Sequence, residues 1–106
     1  MTTIYKNITA AELQAQMAVR DIRLVDVRTD AEVARGYIQG ADKLPLHLLS
    51  MRLHELDCAM PTIFYCQMGA RSAQAAALVV AQGFTEVYNL QGGIVAWVQA
   101  GNPVVQ

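Results

Sequence analysis

Residues 63–72 of the chain, IFYCQMGARS, pass from an apolar run into a short loop that carries a cysteine, an arginine and a serine. The apolar run predicts a buried strand over residues 62–65, which ends at Cys66. The alanine-rich residues 72–82 predict a helix, and Gly83 predicts its end because glycine readily adopts the left-handed conformation that follows many helices. A strand that leads through a tight loop into a helix is typical of α/β proteins.

The same alternation of strand and helix continues on both sides of this stretch. Thr9 with Glu12 and Thr29 with Glu32 match the capping-box pattern, so a helix is expected to start at each threonine. Strands that alternate with helices predict one mainly parallel sheet with helices on both of its faces. Apolar and amphipathic runs predict strands at residues 4–8, 23–27 and 86–90, a brief extended piece at 43–46, and helices at 47–56 and 94–100.

The composition narrows the class of protein. A length of 106 residues fits one domain over residues 1–106, because domains cluster at roughly 100–150 residues. A hydrophobic fraction of 54% with 16% charged residues predicts a well-filled core instead of disorder. The formal net charge of -1 offers no basic field, so no nucleic-acid partner is expected.

Three features predict the cellular location. The N-terminal residues lack a basic segment followed by a long apolar stretch, so no signal peptide is expected. No apolar run approaches the roughly 18–20 residues that a membrane span needs, so no membrane partner is expected. Two cysteines, Cys58 and Cys66, are too few for a disulfide scaffold. We therefore expect a cytoplasmic protein with reduced thiols.

Cys66 lies in a setting that favours reactivity. It ends a predicted parallel strand, at the edge where open α/β sheets place their binding sites. A loop that closes onto a helix N-terminus directs unpaired backbone N–H groups inward, and Gly69 allows the tight curl because it tolerates positive φ. A sulfur at the centre of such a loop is held as its anion, which is the reactive form. Although most free cysteines pack as small apolar residues, we predict that Cys66 is a nucleophile.

Cys58, His47 and His54 lack such a setting. Cys58 is interpreted as a packing or surface residue, and a disulfide with Cys66, which would block the loop, stays open from the sequence. The two histidines have no ligand partners in the pattern and are interpreted as surface residues. No metal site and no cofactor are therefore expected.

Three segments resemble, in the right order, the signatures of the rhodanese-like sulfurtransferase family. Residues 24–45, LVDVRTDAEVARGYIQGADKLP, resemble the family's DVR…E…GHI.GA.NIP segment. Residues 64–72, FYCQMGARS, resemble its active-site loop, and residues 89–97, NLQGGIVAW, resemble its closing L.GG..AW segment. The match covers nearly the whole chain, and three ordered signatures are far more specific than one cysteine loop. The resemblance implies a single rhodanese-like domain and sulfurtransferase activity.

The resemblance also implies residue roles. Cys66 is implied to be the catalytic cysteine, which carries sulfur as a persulfide. Arg71 is implied to close the loop as a buried structural cation with Glu32 as its partner, although the capping box competes for the same carboxylate. Asp26 and Arg28 are implied to brace the neighbouring strand end. The backbone amides implied to bind the persulfide belong to Gln67, Met68, Gly69, Ala70, Arg71 and Ser72.

The implied substrates are a small sulfur donor, thiosulfate or a persulfide, and an acceptor that is cyanide, a thiol or a sulfur-carrier protein. The chain departs from the family at Tyr37, where histidine is usual, and at Lys43-Leu44, where an asparagine-isoleucine pair is usual. The tyrosine is expected to be tolerated. The loop carries neutral Gln67 and Met68 where some thiosulfate-using members have basic side chains, which weakens the prediction of thiosulfate as the natural donor.

Three other functions compete with sulfur transfer. A cysteine-dependent phosphatase or arsenate reductase also uses a Cys…Arg loop before a helix, but its loop resembles Cys-x5-Arg, whereas four residues separate Cys66 from Arg71 here. A non-catalytic rhodanese-like recognition module typically lacks the cysteine that this chain retains. A redox thiol switch is less favoured because Cys58 and Cys66 do not form a Cys-x-x-Cys pair.

Overall fold

A computed structural model describes residues 4–106, and within them five strands form one sheet in the order β1-β5-β4-β2-β3. All strand pairs in this sheet are parallel, so the predicted α/β class with a parallel sheet is confirmed. The elements in chain order are β1 Lys6–Ile8, α1 Ala10–Val19, β2 Arg23–Asp26, α2 Asp30–Val33, β3 Asp42–Lys43, β4 Thr62–Tyr65, α3 Ala70–Ala81, β5 Val87–Leu90 and α4 Gly93–Gln99.

Two apolar cores lie on opposite faces of this sheet. Successive side chains of a strand point to opposite faces, and β4 divides accordingly: Phe64 belongs to one core, and Ile63 and Tyr65 belong to the other. The first core is completed by α3, including Val79, and the second by α1 and α4, including Trp97. Both faces are therefore covered by helices, as the sequence predicts.

Both predicted capping boxes are present. The Thr9 side chain accepts from the Glu12 amide while the Glu12 carboxylate accepts from the Thr9 amide, at 3.1 and 2.9 Å. Thr29 and Glu32 repeat this exchange at the start of α2. Each box supplies acceptors to two backbone N–H groups at the start of a helix that would otherwise lack partners. Local sequence thus determines where these two helices begin.

The predicted helix over residues 47–56 is wrong. The segment forms two short 3₁₀ turns instead, Leu46–Leu48 and Leu53–Glu55. Leu49 and Leu56 are buried in the first core, and Leu46, Leu48 and Leu53 pack against it. Residues i and i+3 eclipse in a 3₁₀ turn, so the first turn directs Leu46 and Leu49 to the core and the second directs Leu53 and Leu56 to it.

The predicted bounds of the remaining elements shift by at most two residues, except that the extended piece predicted at 43–46 is a strand only at Asp42–Lys43. The helix predicted over residues 72–82 spans Ala70–Ala81, because Gly69 is its N-terminal flanking residue with a φ of 114°. Gly83, with a φ of 100°, follows the end of this helix as predicted. Within residues 4–106 no helix is both long enough and apolar enough to cross a membrane.

Candidate active site

Cys66 directly follows β4, which lies between β5 and β2 in the sheet. Its side chain is buried at the carboxyl edge of the strands. The backbone N–H of Gly69 donates to Cys66 Sγ at 3.0 Å, and Ser72 Oγ lies 3.3 Å from the same sulfur. The loop therefore curls around the sulfur, and the first turn of α3 supplies a hydroxyl to it.

The start of α4 packs against one side of this loop. The N–H groups of Ile94 and Val95 donate to the carbonyl oxygens of Cys66 and Gln67, at 3.0 and 3.2 Å. In a trans peptide the N–H points opposite to the C=O, so the N–H groups of Gln67 and Met68 point away from α4. The contact with α4 thus orients the first two amides of the loop.

Gly93 makes this contact possible. Its φ is +61°, and a Cβ added to it would lie 2.4 Å from the Gln67 carbonyl oxygen and 2.5 Å from that of Cys66. Such distances are shorter than any tolerated contact, so the position requires glycine. The glycine pair at residues 92–93 predicts a turn and belongs to a family signature, but neither pattern reveals this role in supporting the loop.

Burial of the Cys66 thiol opposes its ionisation, but hydrogen bonds to the sulfur outweigh that effect. They come from the Ser72 hydroxyl and from the backbone amides of Ser72, Gly69 and Met68. The pKa of the Cys66 thiol therefore lies below its ordinary value. A lowered pKa increases the thiolate fraction near neutral pH, which is the form that attacks electrophilic sulfur.

Glu32 and Arg71 form the ion pair expected from the sequence, with Nη1–Oε1 and Nη2–Oε2 distances of 2.7 and 2.8 Å. Glu32 Oε1 also accepts from the Thr29 amide at 3.1 Å, so one carboxylate serves the capping box and the ion pair together. The Arg71 hydrogen bond is the main cause that lowers the pKa of Glu32 to about 2. The expectation of a buried Arg71 is wrong, because 35% of its side chain is exposed.

The buried cation beside the loop is Arg28, whose side chain is only 4% exposed. It pairs with the fully buried Asp26, with Nη2–Oδ2 at 2.7 Å and Nε–Oδ1 at 3.0 Å. Its Nη2 also donates to the Gly36 carbonyl, and its Nη1 donates to Gln67 Oε1 at 3.3 Å. Arg28 therefore ties the end of β2 to the first residue after Cys66.

Asn89 is a site residue that was not predicted from the sequence. It lies in β5 and is buried, and its Oδ1 is 2.5 Å from Ser72 Oγ. Its Nδ2 donates to the Gly69 carbonyl at 3.3 Å and to Asn7 Oδ1 at 3.0 Å. The signal that could have revealed it is a polar residue at a buried position of an otherwise apolar strand.

The outer face of the loop is neutral and open. Met68 is 69% exposed, and Gln67 and Ala70 are exposed as well. A cavity of about 610 Å³ lies beside the loop, lined by Gln67, Arg28, Arg35 and apolar residues of α4. Cys66 itself does not line this cavity.

The remaining candidates lie away from the sulfur. Cys58, His47 and His54 are exposed, and both cysteines are free thiols. Tyr37 packs under Lys43, with 4.2 Å between Nζ and the ring centre. Among residues 4–106, no group of three or more His, Cys, Asp or Glu side chains could hold a metal ion.

Comparisons with known proteins agree with this fold. The family model for the rhodanese-like domain matches residues 9–100. A sulfurtransferase of Allochromatium vinosum is 43% identical over 92% of both chains, and the thiosulfate sulfurtransferase GlpE of Pseudomonas entomophila is 38% identical over 83% of this chain and 77% of its own. The crystal structure of a rhodanese-like domain protein from Staphylococcus aureus, 33% identical, aligns with a TM-score of 0.82 over 87% of this chain and 90% of its own.

Proposed function

This chain belongs to the family of rhodanese-like domains, and we propose that it transfers sulfane sulfur through a persulfide on Cys66. The observation that carries the proposal is the environment of Cys66 Sγ, which accepts the Gly69 N–H at 3.0 Å and lies 3.3 Å from the Ser72 hydroxyl. Donors aimed at one buried sulfur stabilise it as an anion. The relatives named sulfurtransferase support the same reaction class.

In the first step the Cys66 thiolate attacks the outer sulfur of a donor such as thiosulfate. A bond forms between Sγ and that outer sulfur, and the sulfur–sulfur bond of thiosulfate breaks. Its electron pair leaves with sulfite, and the chain retains a persulfide with one negative charge on the terminal sulfur. No proton moves because the thiol is already ionised, so this step needs no general base.

In the second step an acceptor attacks the terminal sulfur. A thiolate acceptor becomes a persulfide, or cyanide becomes thiocyanate, and the Sγ–S bond breaks so that its electron pair returns to Cys66. We assign stabilisation of the terminal sulfur to the inward amides of the loop, those of Gln67, Met68, Gly69, Ala70, Arg71 and Ser72. Charge is conserved in both steps, and no metal or cofactor takes part.

The supporting residues hold this loop in shape. We propose that Asp26 and Arg28 anchor it from below through Gln67, and that Glu32 and Arg71 tie its far end to α2. The neutral outer face, with exposed Met68, fits a persulfide or a sulfur-carrier protein as the natural partner better than it fits an anion drawn in by basic side chains. A reducing location such as the cytoplasm would keep Cys66 available for loading.

The number of loop residues favours sulfur over phosphate or arsenate. Four residues lie between Cys66 and Arg71, and both Nη atoms of the Arg71 guanidinium donate to Glu32. A tetrahedral oxyanion needs a wider ring of donors and a free cation. The retained cysteine also argues against a purely recognition-type module.

The test is intact mass spectrometry after incubation with excess thiosulfate, before and after addition of a reducing thiol. The wild-type chain is expected to gain one sulfur atom on Cys66 and to lose it to the thiol. Cys58→Ser is the matched control, because Cys58 is an exposed thiol outside the loop, and it should load like the wild type. Cys66→Ser should not load, and sulfur transfer retained in that variant would overturn the mechanism.

A persulfide donor separates two causes of a negative result. If thiosulfate fails and a persulfide loads Cys66, the loop rejects thiosulfate and the transfer mechanism stands. If neither donor adds sulfur to folded protein, Cys66 is not a sulfur carrier and the proposed function is wrong.

A further inference from the structure

The Ser72 hydroxyl has one proton and three acceptors within reach. Its Oγ lies 3.3 Å from Cys66 Sγ, 3.2 Å from the Gly69 carbonyl oxygen and 2.5 Å from Asn89 Oδ1. A hydroxyl donates to one acceptor at a time and accepts with its lone pairs. Because the shortest of the three contacts is the one to Asn89, that residue competes directly with the sulfur for the Ser72 proton.

The orientation of the Asn89 amide is determined by a neighbour that cannot donate. The Gly69 carbonyl oxygen, 3.3 Å from the amide nitrogen, is an acceptor only. The amide must therefore turn Nδ2 toward Gly69 and Asn7, which leaves Oδ1 facing Ser72. A reversed amide would place two oxygens against each other, so the competition with Cys66 is built into the fold.

We propose that Asn89 is a positioning residue that holds the Ser72 hydroxyl away from a neutral sulfur and releases it only to a thiolate. When Cys66 is protonated, Ser72 donates to Asn89 and its lone pairs face the S–H group. When Cys66 ionises, the hydroxyl rotates to donate to Sγ and gives up its bond to Asn89. Ionisation of the thiol thus breaks the hydrogen bond from Ser72 to Asn89 and forms one from Ser72 to Sγ.

The same rotation has a place in sulfur transfer, and this half of the inference rests on the proposed function. In the persulfide the charge lies on the terminal sulfur, so Sγ has little need of a donor and Ser72 stays with Asn89. When the acceptor removes the terminal sulfur, Sγ leaves as a thiolate and Ser72 turns to it. The hydroxyl therefore stabilises Sγ as a leaving group at the moment when charge returns to it.

The experiment measures the ionisation of the Cys66 thiol in a Cys58→Ser background, where one thiol remains. Thiolate absorbance and the rate of alkylation by iodoacetamide are followed against pH in four proteins: the background, Ser72→Ala, Asn89→Leu and the double variant. Neither measurement needs sulfur transfer, so a failure of the proposed function does not affect the outcome. Circular dichroism checks that each variant is folded.

Asn89→Leu frees the Ser72 proton, so the thiol should ionise at a lower pH, by roughly 0.7 pH unit, since a hydrogen bond contributes about 1 kcal/mol and one pH unit corresponds to about 1.4 kcal/mol. Below the midpoint the thiolate fraction should rise, and the lower nucleophilicity of a less basic thiolate should offset part of that gain. Alkylation there should therefore be about twofold faster. Ser72→Ala should shift the midpoint upward. Adding Asn89→Leu to Ser72→Ala should change nothing further, because Asn89 acts through the hydroxyl.

The proposal would be overturned if Asn89→Leu raised the pH midpoint of ionisation or left it unchanged, or if it still lowered the midpoint in the Ser72→Ala background. Asn89 would then have only a packing role. If Asn89→Leu does not fold, Asn89→Ala replaces it. It removes the same Oδ1 acceptor without adding a branched apolar side chain at this buried position, so the same downward shift is expected, and an upward or absent shift would overturn the proposal.

Discussion

The two ion pairs beside the loop have the same chemistry and different surroundings. Asp26 and Arg28 lie beneath it with side-chain exposures of 0% and 4%, whereas Glu32 and Arg71 lie at its rim with 26% and 35%. Water screens the rim pair and can solvate either partner alone, but the lower pair is almost entirely shielded from it. The buried pair should therefore be hard to break without loss of the fold, and the rim pair should act as a modest brace.

The largest effect is expected from breaking the buried pair. Asp26→Ala leaves the Arg28 guanidinium buried without a carboxylate, which should lower the free energy of unfolding by about 3–5 kcal/mol. Chemical denaturation measures this loss. The double variant Asp26→Leu/Arg28→Met removes both charges and should recover much of it; a double variant as unstable as Asp26→Ala would show that packing, and not the unpaired charge, is responsible.

A smaller effect is expected at the rim. Glu32→Gln removes the charge but keeps a side chain that can complete the capping box, so it isolates the ion pair. The free energy of unfolding should fall by roughly 1 kcal/mol, and high salt should reduce the difference from the wild type. A loss as large as that of Asp26→Ala, or one insensitive to salt, would erase the contrast between the two pairs.

The smallest effect is a pH dependence of the rim pair. Hydrogen bonds, chiefly from Arg71 and then from Thr29, lower the pKa of Glu32 from 4.5 to about 2, so in the folded chain Glu32 stays ionised where the unfolded chain takes up a proton. The stabilisation is complete above pH 4.5 and is lost as the pH falls toward 2. The stability difference between wild type and Glu32→Gln should shrink across that interval; a constant difference would contradict the pair.

Features that depend on a few neighbouring residues were predicted well from the sequence. The capping boxes at Thr9 and Thr29 join residues three apart, and the left-handed Gly83 acts on the turn beside it. The position of Cys66 at the end of β4 follows from a local change of pattern. In each case the partners lie within one helical turn, so their contact does not depend on the rest of the fold.

Features that join distant segments were predicted incompletely. The resemblance to a known family identified Glu32 and Arg71, 39 residues apart, as partners, but it assigned the burial to Arg71 instead of Arg28. Burial depends on what packs above a side chain, and no pattern near residue 28 or 71 reveals this. The helix predicted over residues 47–56 failed for the same reason, since its leucines follow the surface of a core formed by other segments.

The sequence by itself determined the alternation of strands and helices around the sheet, the starts of two helices and the place of Cys66 at the end of β4, because these follow from short-range hydrogen bonds and apolar patterns. Only the tertiary structure decided what surrounds the sulfur. The sheet order places β5 beside β4, which brings Asn89 to Ser72 across 17 residues, and it places α4 against the loop, where Gly93 allows close contact. These contacts exist because the parallel sheet brings the carboxyl ends of distant strands to one edge.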